Sequence, residues 1–366
     1  MIIGVNTRVF NYQSGGTRVY TKSILSHLLE TDKDNRYVIF YGRDDDIGTF
    51  PSATEISLGP CSRLSFDWIR LPAAIRKHKI DVAFFPTSTM TWMIPCKAVV
   101  TMHDLGYFYP EMKIYPPMES VYMRSLIRYS GKRADHIISD SESTRKDIIN
   151  FLGVDGGKVS TVHLAAAELF SNPVSERDVD DFRKRQGLDK PYFLYTVHMS
   201  PRKNMGRLIE AFAMVRKNHD VELVVTGPRG WSCDFEGIVS RHGQADHVRK
   251  IGFVPDRDMP CLYRGALVYV FPSFFEGFGL PILEAQASGC PVICSDRTSL
   301  PEVAGNGALI FDATDTHALA DAMISLVNSE DLRKDLITRG HENEKKFSWK
   351  KASEQTLNIF NKVMDT

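Results

Sequence analysis

Short apolar runs alternate along this chain with longer stretches in which apolar residues recur every three or four positions. The runs predict strands at 2–5, 37–41, 82–85, 98–102 and 136–139 in the first half. The second half repeats the rhythm at 192–197, 222–226, 249–252, 267–271 and 291–294. Amphipathic stretches at 17–29, 64–77, 117–132 and 142–152 predict helices beside the first set. Continuous apolar strands separated by helices imply parallel sheets covered on both faces. The pattern therefore predicts an α/β protein with two Rossmann-like, doubly wound domains, at 1–165 and 166–347. Between them, residues 163–190 are polar and poor in strand formers, which suits a connection followed by one short helix. A last amphipathic stretch at 349–363, in a segment running 348–366, predicts one further helix. Ligands of such sheets bind beyond the carboxyl ends of the strands, so a cleft between the domains is the expected site.

The densest chemistry lies in Phe275-Glu276-Gly277-Phe278-Gly279-Leu280-Pro281-Ile282-Leu283-Glu284. Pro281 suits the first helical position and Gly289 the residue just past the last turn. Gly277 and Gly279 bare the backbone, so a ligand can approach the N–H groups of the helix start, which favour phosphate. Glu284, one turn in, leans back toward the same place. Carboxylates beside a phosphate cradle repel phosphate, so Glu276 and Glu284 should bind hydroxyls of a sugar or ribose. Together these features predict a sugar nucleotide.

The spacing resembles the E-x7-E signature of the retaining, nucleotide-sugar-dependent glycosyltransferases of family 4. Further matches follow in order. Val197-His198-Met199-Ser200-Pro201-Arg202-Lys203-Asn204 is similar to that family's diphosphate-binding turn, Gly252-Phe253-Val254-Pro255 to the segment meeting the base, and Ser139-Asp140-Ser141 to its first-domain serine motif. The resemblance spans nearly the whole chain and points to bacterial mannosyl- or glucosyltransferases of polysaccharide assembly. It implies the GT-B fold, two domains facing across a cleft with the C-terminal helix returning to the first.

Residue by residue, the resemblance implies that Ser200, Arg202 and Lys203 bind the donor diphosphate and that Val254 meets the base. Glu284 would hold the ribose, and Glu276 the hexose. Arg202 can grip phosphate bidentately and Lys203 acts as a compact charge. Two cations opening a helix oppose its dipole, which calls for an anion between them. Many relatives carry arginine where His198 stands, which shifts weight onto Arg202. His103-Asp104 follows a predicted strand, where His103 would bond the donor sugar and Asp104 orient it or approach the acceptor. Ser14-Gly15-Gly16-Thr17 lets the backbone come close to diphosphate or acceptor from the first domain. Neither glutamate need be a nucleophile. In the resembled enzymes the leaving phosphate helps deprotonate the acceptor on the same face, and the protein contributes positioning and charge.

Composition narrows this further. With 45 basic and 45 acidic side chains the net charge is zero, which disfavours binding nucleic acid by bulk charge. Arg124, Arg128, Lys132 and Arg133 nevertheless share the 117–132 helix, where they form either a solvated face or a patch for anionic lipid or a lipid-diphosphate acceptor. The six cysteines are scattered, and the N-terminus reads as a strand rather than a signal sequence, so a cytoplasmic protein, peripheral on the membrane at most, is expected. Asp44-Asp45-Asp46 reads as a charged turn rather than a metal-holding D-x-D, and neither metal nor cofactor is expected. A nicotinamide dehydrogenase fails for want of G-x-G-x-x-G. A nucleotide-sugar epimerase on the same fold, or a catalytically silent sugar-nucleotide-binding partner, remain the alternatives. The sequence does not separate UDP from GDP, or glucose from mannose.

Overall fold

The computed structural model describes residues 1–11, 15–112, 114–196, 200–227 and 234–365. Ser14, Val197, His198, Met199 and Cys233 lie outside the described residues. The chain divides into two compact units. One comprises Met1–Pro110, Tyr115–Leu164 and Ser348–Thr366, the other Glu111–Ile114 and Ala165–Phe347.

In the first unit β1 (Ile2–Asn6), β2 (Arg36–Tyr41), β3 (Thr54–Ser57), β4 (Val82–Phe85), β5 (Lys97–Met102), β6 (His136–Ser139) and β7 (Val159–Thr161) form a seven-stranded sheet in the order β3-β2-β1-β4-β5-β6-β7. Every pairing is parallel. The strand order reverses between β1 and β4, which opens a crevice at the carboxyl ends of these strands. Loops leaving β1, β4 and β5 carry Gly15, Thr87 and His103 to that edge.

The second unit holds β8 (Tyr192–Thr196), β9 (Glu222–Thr226), β10 (Val248–Gly252), β11 (Val268–Phe271), β12 (Val292–Ser295) and β13 (Ala308–Phe311), ordered β10-β9-β8-β11-β12-β13 and again wholly parallel. Its switch point lies between β8 and β11, whose loops carry Arg202 and Glu276. Both sheets are the doubly wound kind that the alternation predicts.

Three strands go unannounced by the pattern. Thr54–Ser57 and Val159–Thr161 are short and largely polar edge or near-edge strands. Ala308–Phe311 is apolar, but a run of that length is ambiguous between strand and buried helical turn. The helix predicted at 64–77 is interrupted by a π-helical turn at Phe66–Arg70. Within the polar stretch after the first unit, Ser175 caps the Glu176–Gln186 helix by accepting from the Asp178 N–H, and Gly187 ends it at φ 65°.

The Trp349–Met364 helix belongs to the first unit. Its Phe360 is fully buried, edge-on to Phe84 of β4 at 5.2 Å, and Trp349 lies 6.2 Å from Tyr20 of the Gly16–Thr31 helix. Among the described residues no helix is long and apolar enough to cross a membrane. Cys61, Cys96, Cys261, Cys290 and Cys294 are free thiols.

Candidate functional site

In the second unit, Pro201–Lys203 forms a single 3-10 turn, and the Met205–Arg216 helix begins only after Asn204, which sits in the left-handed region at φ 56°. Arg202 and Lys203 thus precede the helix rather than open it. The anion between them is supplied by the protein itself. Arg202 Nη1 lies 2.6 Å from Glu276 Oε2, and Lys203 Nζ lies 2.6 Å from Glu276 Oε1. The same guanidinium nitrogen donates to the Phe275 carbonyl at 2.7 Å, and the ammonium stands 5.0 Å from the centre of the Phe271 ring.

The scaffold around this trio is tightly laced. The Phe274 N–H donates to the Arg202 carbonyl, and the Tyr195 hydroxyl to that of Lys203. Asn204 Nδ2 bridges the carbonyls of Pro272 and Ala313 at 3.0 and 2.9 Å. From the β12 side, Thr298 Oγ1 accepts from the Glu276 N–H, and the Ser299 hydroxyl serves the carbonyls of Glu276 and Phe278. Gly279 caps the Leu280–Ala287 helix at φ 110°, and a Cβ there would meet Leu300 Cδ2 at 2.9 Å, so only glycine fits.

Two carboxylates in this unit are driven apart. Burial alone would raise the Glu276 pKa, but Arg202 and Lys203, by charge and by hydrogen bond, outweigh it and hold it at about 2. Glu284 has no such cation. Burial pushes it up to about 7, against the lowering effect of a hydrogen bond from the Tyr263 hydroxyl at 3.0 Å and with a further push from Asp256. Tyr263 continues through Thr196, at 3.5 Å, to Tyr269 at 3.0 Å, forming a buried polar thread behind Glu284.

In the first unit, a cavity of about 360 Å³ is lined by Gly15, Gly16, His103 and Asp104 together with Arg8, Arg18 and Arg63. His103 Nδ1 lies 2.7 Å from Asp140 Oδ2, and Nε2 lies 3.2 Å from the Pro86 carbonyl. Both partners only accept, so the ring satisfies both as the imidazolium. Burial opposes that charge. The Asp140 ion pair, its hydrogen bond and that of Pro86 overcome it and raise the pKa above the ordinary 6.5. The Tyr20 ring meets the imidazole edge-on at 4.8 Å. Asp104 Oδ1 accepts from the Gly106 N–H at 2.8 Å, which fixes its carboxylate at the end of β5.

The sequence-predicted residues thus fall into two sets, one in each unit. Arg202, Lys203 and Glu276 are in direct contact; Glu284 is held separately by Tyr263; His103, Asp104, Gly15 and Gly16 line one cavity. Ser200 Oγ is buried with no hydrogen-bond partner among the described residues, as suits a group awaiting a ligand. The side chains of Phe278 and Val254 are buried, Phe278 edge-on to Phe347 at 6.0 Å, which leaves their backbones as the only means of contact. Beside Val254, Phe253 is 75% exposed at the end of β10. Phe253 and Asp140 lie within motifs named from the sequence but received no individual role there. Asp140 follows β6 as His103 follows β5, and recognising that these strands pair would have joined them. Among the described residues no group of three or more His, Cys, Asp or Glu side chains could hold a metal ion.

Residues 14–165 match the family described as Glycosyltransferase Family 4, and residues 176–343 the one described as Glycosyl transferases group 1. The chain is 35% identical over 269 residues to O-antigen chain mannosyltransferase B of Escherichia coli, covering 72% of this chain and 70% of that protein. The serotype-specific mannosyltransferase WbdA of Escherichia coli is 26% identical over 281 residues, which are 75% of this chain but 34% of that larger protein. Among solved structures, sucrose-phosphate synthase from Thermosynechococcus elongatus superposes with a TM-score of 0.81 at 19% identity, covering 100% of this chain and 99% of its own. Anabaena HepE in complex with UDP-glucose gives 0.79 at 16% identity, over 99% and 100% of the two chains.

Proposed function

Given that the chain belongs to the family 4 glycosyltransferases of GT-B fold, we propose that it moves a mannosyl residue from a nucleoside diphosphate to a hydroxyl of a lipid-linked glycan. Anomeric configuration is retained, and the setting is O-antigen or related surface-polysaccharide assembly. Mannose is favoured over glucose because the relatives cited above are named mannosyltransferases.

The observation that carries the reading is the convergence of Arg202 and Lys203 on one buried carboxylate. Both cations stand beside the switch point of the second sheet, where a diphosphate belongs. As the sugar–phosphate bond breaks, charge gathers on the β-phosphate, and Arg202 and Lys203 stabilise it. This is the work a divalent metal does in other transferases, and we propose that transfer needs none. Glu276 is a poor nucleophile because both its oxygens are engaged by cations. It serves better as an acceptor for hexose hydroxyls, with Glu284 receiving those of the ribose. Ser200 completes the diphosphate contacts, and the backbones of Gly277, Gly279, Leu280 and Val254 meet sugar, phosphate and base. His103 as imidazolium, with Asp104, Gly15 and Gly16, binds substrate in the first unit. Arg128 and Lys132 offer contact with anionic lipid from exposed positions; Arg124, whose Nε donates to the Tyr107 carbonyl, and Arg133, which donates to the Ile94 carbonyl and pairs with Asp135, are engaged within the fold.

Calorimetry with UDP, GDP and their glucose and mannose conjugates, chelator present, tests the donor. Tight binding of one nucleotide, strengthened by mannose, and mannosyl transfer with α-configuration preserved are expected. A strict metal requirement, or an inverted product, overturns the mechanism.

A further inference from the structure

Large apolar side chains crowd the outside of one part of the first unit. Leu64, Trp68 and Ile69 project from the segment around the π-helical turn, Ile69 being 66% exposed. Trp92 and Met93 stand on the loop between β4 and β5, where Met93 is 78% exposed and held in the left-handed region at φ 53°. The Pro117–Arg133 helix adds Met118, Val121 and Tyr122.

These are one surface. Trp68 stacks on Trp92 at 5.7 Å, and Trp92 on Tyr129 of the helix at 4.7 Å, so an aromatic ladder joins all three elements. Tyr122, Ser125, Tyr129 and Lys132 share one helix face at successive turns, so that face runs from apolar to basic.

Basic side chains outnumber acidic ones in the stretches that carry the ladder. Residues 63–77 contain four basic side chains to one acidic, and so do residues 117–133, while 86–96 contain no charged residue. The two acids are already engaged: Asp67 lies between Arg8 and Arg63, and Glu119 accepts from Tyr107. These stretches together hold eight basic side chains to two acidic in a chain of zero net charge, with Arg63 paired to Asp67 and Arg133 to Asp135.

We propose that this face docks on an anionic lipid bilayer, with Trp68, Ile69, Trp92 and Met93 entering the headgroup boundary and Lys132, Arg128 and neighbouring cations meeting lipid phosphates. Protruding Trp, Ile and Met rimmed by cations match a lipid interface on both counts, apolar depth and opposite charge. The inference deepens the lipid contact read above and rests on it only for why the protein would visit a bilayer.

Sedimentation with vesicles tests it, using phosphatidylcholine alone and equal parts of phosphatidylcholine and phosphatidylglycerol. The wild type should pellet with the anionic vesicles, release in high salt, and stay free of the neutral ones. Ile69→Glu combined with Met93→Glu, both at exposed positions, should weaken binding about tenfold or more, as should Arg128→Glu with Lys132→Glu. Melting temperature and nucleotide binding should not move. Equal binding by the variants, or no binding by the wild type, overturns the proposal. Self-association lost in the Ile69→Glu/Met93→Glu variant, without vesicle binding, overturns it in favour of an interface between copies. Mannosyl transfer to a short soluble acceptor, measured alongside, fails independently of vesicle binding and so reports on the function alone.

Discussion

Glu276 pairs with Arg202 and Lys203, the same cations that would meet phosphate. Removing its charge while keeping its shape should remove one competitor for them. Glu276→Gln is expected to bind the nucleoside diphosphate severalfold more tightly while losing on the order of a hundredfold or more in turnover. It should also melt earlier, because buried Lys203 loses an ion pair, and added nucleotide should restore more stability than it does in the wild type. Calorimetry and thermal melts decide it; weaker diphosphate binding would mean that the carboxylate does not compete for the site. The ion pairs' own contribution to stability is complete above the ordinary glutamate value of 4.5 and is lost as pH falls toward about 2. Glu284 behaves oppositely. With its pKa raised to about 7, it should titrate near neutrality. Ribose hydroxyls donate to the carboxylate form, so nucleotide affinity should rise from about pH 6 to about pH 8, with a proton released on binding. The heat of binding should therefore vary with buffer ionisation enthalpy. A heat independent of buffer would remove Glu284 from the ribose.

Elements decide which of these residues meet. The loop from β11 into the Leu280–Ala287 helix was legible in the sequence because its signals are local: glycines where the backbone must open, proline where a helix must start. The Arg202–Glu276 contact spans distant parts of the chain and follows only once β8 and β11 are neighbours. His103 was legible by its place after a strand; its partner Asp140 depends on β5 and β6 pairing, which no local pattern states. Edge strands such as Thr54–Ser57 stayed hidden because a half-exposed edge has no need of a continuous apolar run. Packing within an element predicts as well. Phe360→Ala in the Trp349–Met364 helix should cost about 3–5 kcal/mol by opening a cavity beside Phe84, measured by denaturant unfolding. A loss below about 1 kcal/mol would mean that the helix is not part of that core.

At the scale of the whole molecule, the two sheets follow the same plan, each with its switch point and its own set of candidate groups. The first unit is assembled from separated stretches, its sheet from residues before 165 and its covering helix from Ser348 onward. On the ribosome, therefore, the body of the second unit emerges, and can fold, while the first still lacks the helix that covers Tyr20 and Phe84. For that interval a finished second half is tethered to an unfinished first half with bare aromatic surface, the state in which a nascent chain most needs a chaperone.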